Sequence, residues 1–122
     1  MVDSSALKIA GDDVRTVALP NSVVISGLEG SQLGTRDLPT WKSTDGTVET
    51  GIWECDAGRF RAEFSSYGEM IHIVSGELEC TGDDGSRFTL RPGDAMTFPR
   101  GWAGEWHIKE PLRKIYAPFT AS

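Results

Sequence analysis

The sequence predicts an all-β fold, a sandwich or small barrel of short strands around one core, and three observations lead there. Apolar residues recur at every second position in short runs, the period of a half-buried strand. Gly, Pro and Asp separate these runs roughly every 8 to 12 residues, the rhythm of strand-rich sandwiches and barrels. Fourteen Gly and six Pro are spread along the 122 residues, so they punctuate strands and do not describe a disordered tail. No helix is expected.

The elements follow in order. Val14 to Leu19 reads as a strand stopped by Pro20, and Ser22 to Leu28 as a second ending near Gly30. Residues 31–40 read as a loop with Pro39 at its end. Residues 1–40 are taken as an arm that adds strands or covers a sheet edge, because a bare edge invites aggregation; residues 41–122 form the barrel of a single domain. Val48 to Cys55 is a strand ending in the turn Asp56-Ala57-Gly58. Arg59 to Ser65 alternates strictly, with Phe60, Ala62 and Phe64 on one face and the polar residues on the other. After the loop Ser66-Tyr67-Gly68, Glu69 to Ser75 is a strongly apolar strand closed by Gly76. Glu77 to Thr81 and Arg87 to Leu90 flank Asp83-Asp84-Gly85, a hairpin turn whose Gly tolerates positive φ. Pro92-Gly93-Asp94 turns the chain into Ala95 to Phe98. Pro99-Arg100-Gly101 turns it again, and Gly104 to Lys109 and Arg113 to Phe119 are the last strands.

Composition narrows the partners. Hydrophobic residues make up 39%, and four Trp, five Phe and two Tyr supply enough buried area for folding without disulfide or metal staples. The net charge of −6 repels phosphate backbones. The basic residues from Arg59 to Lys114 are scattered, so no nucleic-acid partner is expected. Met1 to Ala10 lacks the basic stretch and long apolar run of a secretion signal. No stretch approaches the roughly 18 apolar residues of a membrane span, and a cytoplasmic protein without a membrane partner is expected. Cys55 and Cys80 lie in predicted strands without a CxxC pair and read as buried free thiols.

Two segments carry a resemblance. The first is Glu69-Met-Ile-His-Ile-Val-Ser-Gly76, with six residues between the Glu and the Gly. The second is Gly93-Asp94-Ala-Met-Thr-Phe-Pro99-Arg-Gly101, with five residues between Gly93 and Pro99. In this order they resemble the paired signature segments of the cupin superfamily. That resemblance implies an RmlC-like cupin fold, a double-stranded β-helix or jelly roll closed into a conical barrel. More narrowly, Trp41 to Tyr116 is similar to small single-domain cupins related to ureidoglycine aminohydrolase and to an ethanolamine-utilisation protein. This narrower likeness is carried by Gly51-Ile-Trp53, Gly58-Arg-Phe60, Phe98-Pro99-Arg-Gly101, Trp106 and Arg113-Lys114-Ile-Tyr116. The family also implies a homodimer, with residues 1–40 contributing to its interface.

The family's metal sites use a His-x-His pair, a Glu and a third His beyond Pro-x-Gly, and here the sequence departs. Only Glu69 stands. The His pair falls on Ala62 and Phe64, which the alternation favours, or on Glu63 and Ser65; the third position is Gly104. His72 and His107 each lie three residues from the ligand positions, which turns them to the opposite sheet face unless a bulge intervenes. No metal and no cofactor are therefore expected, with recruitment of His72 or His107 beside Glu69 left as the exception. Trp106 shares the face of Gly104 and is expected to fill part of the vacated volume.

Glu69 is the leading candidate for a catalytic base or hydrogen-bond anchor, raised in pKa by an apolar barrel; the competing reading is that it caps turn amides. A carboxylate pair of Glu63 with Glu69 requires the less favoured register. Lys114 and Tyr116 share a face of the last strand and either anchor a ligand or sit at the core edge with the Lys snorkelling to solvent. With an aromatic lining of Trp53, Phe64, Trp102 and Trp106, the expected ligand-binding set is Phe64, Tyr67, Glu69, Trp106, Lys114 and Tyr116. Three functions are then ranked. First is a binding module for a small polar metabolite. An enzyme on ureide, amide or carbohydrate metabolites, using Glu69 with Tyr67, Lys114 or Tyr116, comes second. Last is a structural role in which apolar faces pair two barrels.

Overall fold

Eight antiparallel strands form one continuous hydrogen-bonded sheet in a computed structural model that describes residues 6–120. The strands are β1 (Asn21–Ser26), β2 (Gln32–Lys42), β3 (Glu49–Cys55), β4 (Gly58–Glu63), β5 (Gly68–Gly82), β6 (Arg87–Leu90), β7 (Ala95–Phe98) and β8 (Ala103–Phe119). The first five residues of the Met1 to Ala10 stretch lie outside the described residues.

The two long strands organise the rest. β5 and β8 pair antiparallel along nearly their full lengths. Near the middle both change layer, with register shifts around Ser75 and Glu77 that bend the ribbon, as bulges do. The half of the ribbon before this bend in β5 carries β3 on one side and β7 on the other, with β2 and β1 continuing outward from β3. The other half carries β4 and β6. Folding the halves together encloses a core that includes Ile71, Ile73, Leu78, Cys80, Phe98, Ile108 and Leu112. This is the jelly-roll arrangement expected of a cupin barrel.

Four local expectations change. The segments Glu69 to Ser75 and Glu77 to Thr81 are a single strand bent at Gly76, and Gly104 to Lys109 joins Arg113 to Phe119 through Glu110-Pro111. The punctuating Gly and Pro mark a bend because neighbouring strands keep pairing on both sides of it. Residues 31–40, expected as a loop, form β2. Only Leu33 and Thr35 are buried there, so the alternation is short, and Pro39 sits at the register shift between Pro39 and Trp41, where a missing donor is tolerated.

The third and fourth changes concern the arm. A short helix α1 (Gly11–Thr16) replaces the expected strand from Val14, and with it the expectation of no helix fails. Asp12 and Asp13 in its first turn and Arg15 in its last suit the helix dipole, a charge order that short apolar alternation does not register. The helix buries none of its residues. It is held from outside: Arg113 donates to the carbonyls of Val14 (2.9 Å) and Val17 (3.1 Å) and to Glu54 (2.9 Å). No helix among the described residues is long and apolar enough to cross a membrane.

Candidate functional site

Inward-facing residues of β4, β5 and β8 follow from strand parity. Ala62 and Phe64 are buried while Arg61 and Glu63 are exposed, as the alternation predicts. On β5 the buried side chains before the bend are Glu69, Ile71 and Ile73, and on β8 the buried set includes Trp106, Lys114 and Tyr116. Ala62, Phe64, Glu69, Trp106, Lys114 and Tyr116 line a cavity of about 400 Å3 between the two layers, with Arg61 and Glu63 at its rim and Ile25 and Ser26 of β1 on one side. The volume lies in the range of small-molecule pockets. A second hollow of similar size lies beside Leu7, Ile9 and Trp41, away from any cluster of ionisable side chains.

At the cavity wall stands a buried ion pair. Lys114 Nζ donates to Glu69 Oε2 at 2.9 Å, with the two side chains only 5% and 12% exposed. The ammonium lies 4.6 Å from the Trp53 ring centroid, 4.8 Å from Trp106 and 6.0 Å from Tyr116. In a desolvated setting each close cation–π contact contributes about 2 kcal/mol, which helps offset the cost of burying the charge. Burial still dominates and lowers the Lys114 pKa below its ordinary value, with Glu69 opposing. The alternative in which Lys114 snorkels to solvent is therefore wrong: β3 and β5 flank β8 at this position, pairing Trp53 and Ile73 with Lys114, and the ammonium is turned into the cavity and onto Glu69. Glu69 accepts its charge-assisted bond from Lys114, and the described side-chain hydrogen bonds include none from a turn amide to it.

The remaining candidates sort cleanly. Phe64 and Tyr67 meet edge-to-face with centroids 5.4 Å apart, and both line the cavity. Burial and then the nearby Glu69 raise the Tyr67 pKa. Tyr116 donates to Asp37 Oδ2 at 3.3 Å, and burial foremost raises its pKa as well. Trp106 packs against Phe60 at 5.5 Å, and its buried Nε1 has no partner among the described residues. Trp102, expected in the lining, does not face the cavity; it packs on Phe98 at 4.9 Å and on Phe88 at 6.5 Å. Glu63 is not beside Glu69, because it sits on the outer face and takes a 2.7 Å bond from Arg61. Asp37 was not foreseen. Its segment reads as loop, and only the β2–β3 pairing brings it opposite Trp53.

A metal of the kind the resemblance implies does not fit these residues. The favoured positions of the His pair are Ala62 and Phe64, both apolar and buried. At Gly104 a Cβ would collide with the Thr81 carbonyl oxygen and lie 2.7 Å from the Trp102 ring, so no side chain is accommodated there. Glu69 is already engaged by Lys114. His72 and His107 lie on the faces opposite Glu69 and Trp106, pairing with Ile115 and with Arg59. Among the described residues no group of three or more His, Cys, Asp or Glu is placed to hold a metal ion.

Cys55 and Cys80 are free and fully buried, and burial pushes both thiols up to about 12 from 9.0. The unfolded chain loses these protons near pH 9 while the folded chain holds them to about 12. Stability from this source is complete below pH 9 and falls as pH rises through that window, by at most about 4 kcal/mol per thiol. Lys114, with its lowered pKa, acts in the opposite sense up to 10.5. Urea unfolding of Cys80→Ala should show a shallower loss between pH 9 and 12 than the parent protein. An unchanged slope would mean that the thiols do not drive alkaline unfolding.

Comparison with known proteins agrees with this architecture. A family model for EutQ-like cupin domains matches residues 42–116. No curated protein sequence matches the chain. Among solved structures, the Clostridium difficile EutQ protein is 16% identical with a TM-score of 0.65, covering 95% of this chain and 82% of that one. A putative ethanolamine utilization protein Q from Salmonella typhimurium is 21% identical with a TM-score of 0.61, covering 86% and 99%. A DUF861-family protein from Thermotoga maritima is 35% identical over 53% of this chain and 73% of that one, with a TM-score of 0.51. The jelly-roll fold and the match to more than half of its length together establish that the chain belongs to the EutQ-like cupin family.

Proposed function

We propose that the barrel cavity binds a small, uncharged metabolite carrying an amide or ureide group. The observation that carries this reading is the Lys114–Glu69 pair at the wall of an aromatic cavity. The pair presents a donor and an acceptor side by side and is neutral as a unit. An amide carbonyl accepts from the ammonium while its N–H donates to the carboxylate, and the planar group lies against Trp53 and Trp106. A ligand of net charge fits less well, since its desolvation would lack a counter-ion; Arg61 at the rim is already held by Glu63 and Asp83. The buried Trp106 Nε1 and the Tyr67 hydroxyl supply further polar atoms for a ligand oxygen. In this reading the former metal position is degenerate, residues 1–40 act as an arm that completes the cavity wall through Ile25 and Ser26, and the protein works in the cytoplasm, as a homodimer.

The same pair favours a second reading, catalysis on ureides or amides, in line with the sequence resemblance to cupins related to ureidoglycine aminohydrolase, with Glu69 and Lys114 as the proton-transfer couple. A thermal-melt screen against small amides, ureides and divalent ions tests the binding. Ligand at about a hundredfold over its Kd stabilises by about 2.7 kcal/mol, a shift on the order of 10 °C for a chain of this size. Amides should shift the parent protein and fail to shift Glu69→Gln. A shift with Mn2+, Ni2+ or Zn2+ and none with any amide or ureide would overturn the reading. Turnover of the bound amide would move catalysis ahead of simple binding.

A further inference from the structure

Lys114 is a primary amine held in a water-poor cavity with a proton acceptor in contact, and this arrangement has a covalent consequence that simple binding does not use. We propose that Lys114 captures small uncharged aldehydes and ketones as an imine on its Nζ, with Glu69 moving the protons. The proposal rests on the binding reading, because the carbonyl reaches Nζ through the same cavity and from the same side as an amide carbonyl. Amide carbonyls are too unreactive to be attacked; aldehyde and ketone carbonyls are not.

The geometry supplies each part. Nζ and Glu69 Oε2 are 2.9 Å apart, so the ammonium passes one proton to the carboxylate without rearrangement. The freed lone pair attacks the carbonyl carbon, a C–N bond forms, and the C=O π electrons move to oxygen. A proton then shifts from nitrogen to that oxygen, giving the neutral carbinolamine. Glu69 returns its proton to the hydroxyl, which leaves as water while the nitrogen lone pair closes the C=N bond. The product is a protonated imine beside a Glu69 carboxylate, the same charges as at the start. Its cation occupies the place of the original ammonium, between Trp53 at 4.6 Å and Trp106 at 4.8 Å, so the contacts that stabilise buried Lys114 also stabilise the adduct. Desolvation, which lowers the pKa of this lysine, makes the free amine more accessible near neutral pH, a known route to nucleophilic lysines.

The other lysines, Lys8, Lys42 and Lys109, are exposed and serve as internal controls. The protein is incubated at neutral pH with propanal or acetone, reduced with borohydride, and mapped by peptide mass spectrometry, with and without excess propionamide. Lys114 should label at least roughly tenfold faster than the other three, and propionamide should slow it. Glu69→Gln keeps the amine and loses the proton acceptor, and should label Lys114 more slowly; mapping on the parent protein holds even if that variant folds poorly. Equal labelling of all lysines, or none at Lys114, overturns the imine. A melt shift with propionamide but no label on Lys114 leaves binding standing and removes only the covalent step. Preferential labelling of Lys114 that propionamide does not slow, with no melt shift, upholds the imine and removes the amide-binding reading.

Discussion

Glu69→Met and Lys114→Met should each destabilise the protein by about 3 kcal/mol at neutral pH, while the double variant should lie within about 1 kcal/mol of the parent. Removing one member of a buried pair leaves a charge in low dielectric with no partner, which typically costs about 3–5 kcal/mol. Here the lower end applies, because a buried group left without its partner neutralises itself at less cost than staying charged. Replacing both members by apolar side chains of similar length removes the two desolvation costs together, and the aromatic walls of Trp53 and Trp106 suit thioethers well. Denaturant unfolding of the four proteins forms a double-mutant cycle. A coupling of about 5 kcal/mol, with the double variant close to the parent, would show that the pair is strongly linked and that its net contribution to folding is small, leaving ligand chemistry as the reason for its presence. Additive losses would mean that the two side chains act independently and that the ion pair is not formed in solution.

Gly76→Ala should cost about 4 kcal/mol, lowering the melting temperature by on the order of 15 °C. Gly76 adopts φ +89, a region that costs an L-residue about 1–2 kcal/mol. A Cβ there would also collide with the Pro111 carbonyl oxygen and lie 2.9 Å from both the Glu110 carbonyl oxygen and the Leu112 Cα. All three are backbone atoms of the adjacent strand, so relief requires moving β8 at the point where the β5–β8 ribbon bends. Gly85→Ala is the control: its φ is +88, yet nothing lies within 4 Å of its Cβ position. It should lose only about 1–2 kcal/mol. Equal losses in the two variants would assign the whole effect to the dihedral and none to the close approach of the strands.

The strand alternation from Arg59 to Ser65 and the turns at Gly85, Gly93 and Gly101 were legible because local chemistry specifies them. Strand parity separates Phe60, Ala62 and Phe64 from their polar neighbours, and those three glycines all have positive φ in the structure. The paired segments around Glu69 and Gly93 were enough to expect a cupin barrel. Parity also put Trp106 on the face of the third ligand position, and Lys114 with Tyr116 on one face of the last strand.

Other features depend on pairings that no local pattern contains. Residues 31–40 become a strand because β1 and β3 supply partners on both sides, which outweighs a weak alternation interrupted by Pro39. The arm helix stays in place because Arg113, from the far end of the chain, reaches its carbonyls. Lys114 is the clearest case. Sequence allowed it to be an anchor or a snorkelling edge residue, since a four-carbon stem permits both. Burial between β3 and β5, an acceptor 45 positions earlier in the chain, and two indole rings decided for the interior. By itself, then, the sequence determined the fold class, the strand parity and the lack of histidines at the usual ligand positions, all consequences of side-chain order along single strands. Only the tertiary structure decided that Glu69 meets an ammonium, because that contact joins separate strands and its energy depends on the low dielectric created when the two layers close.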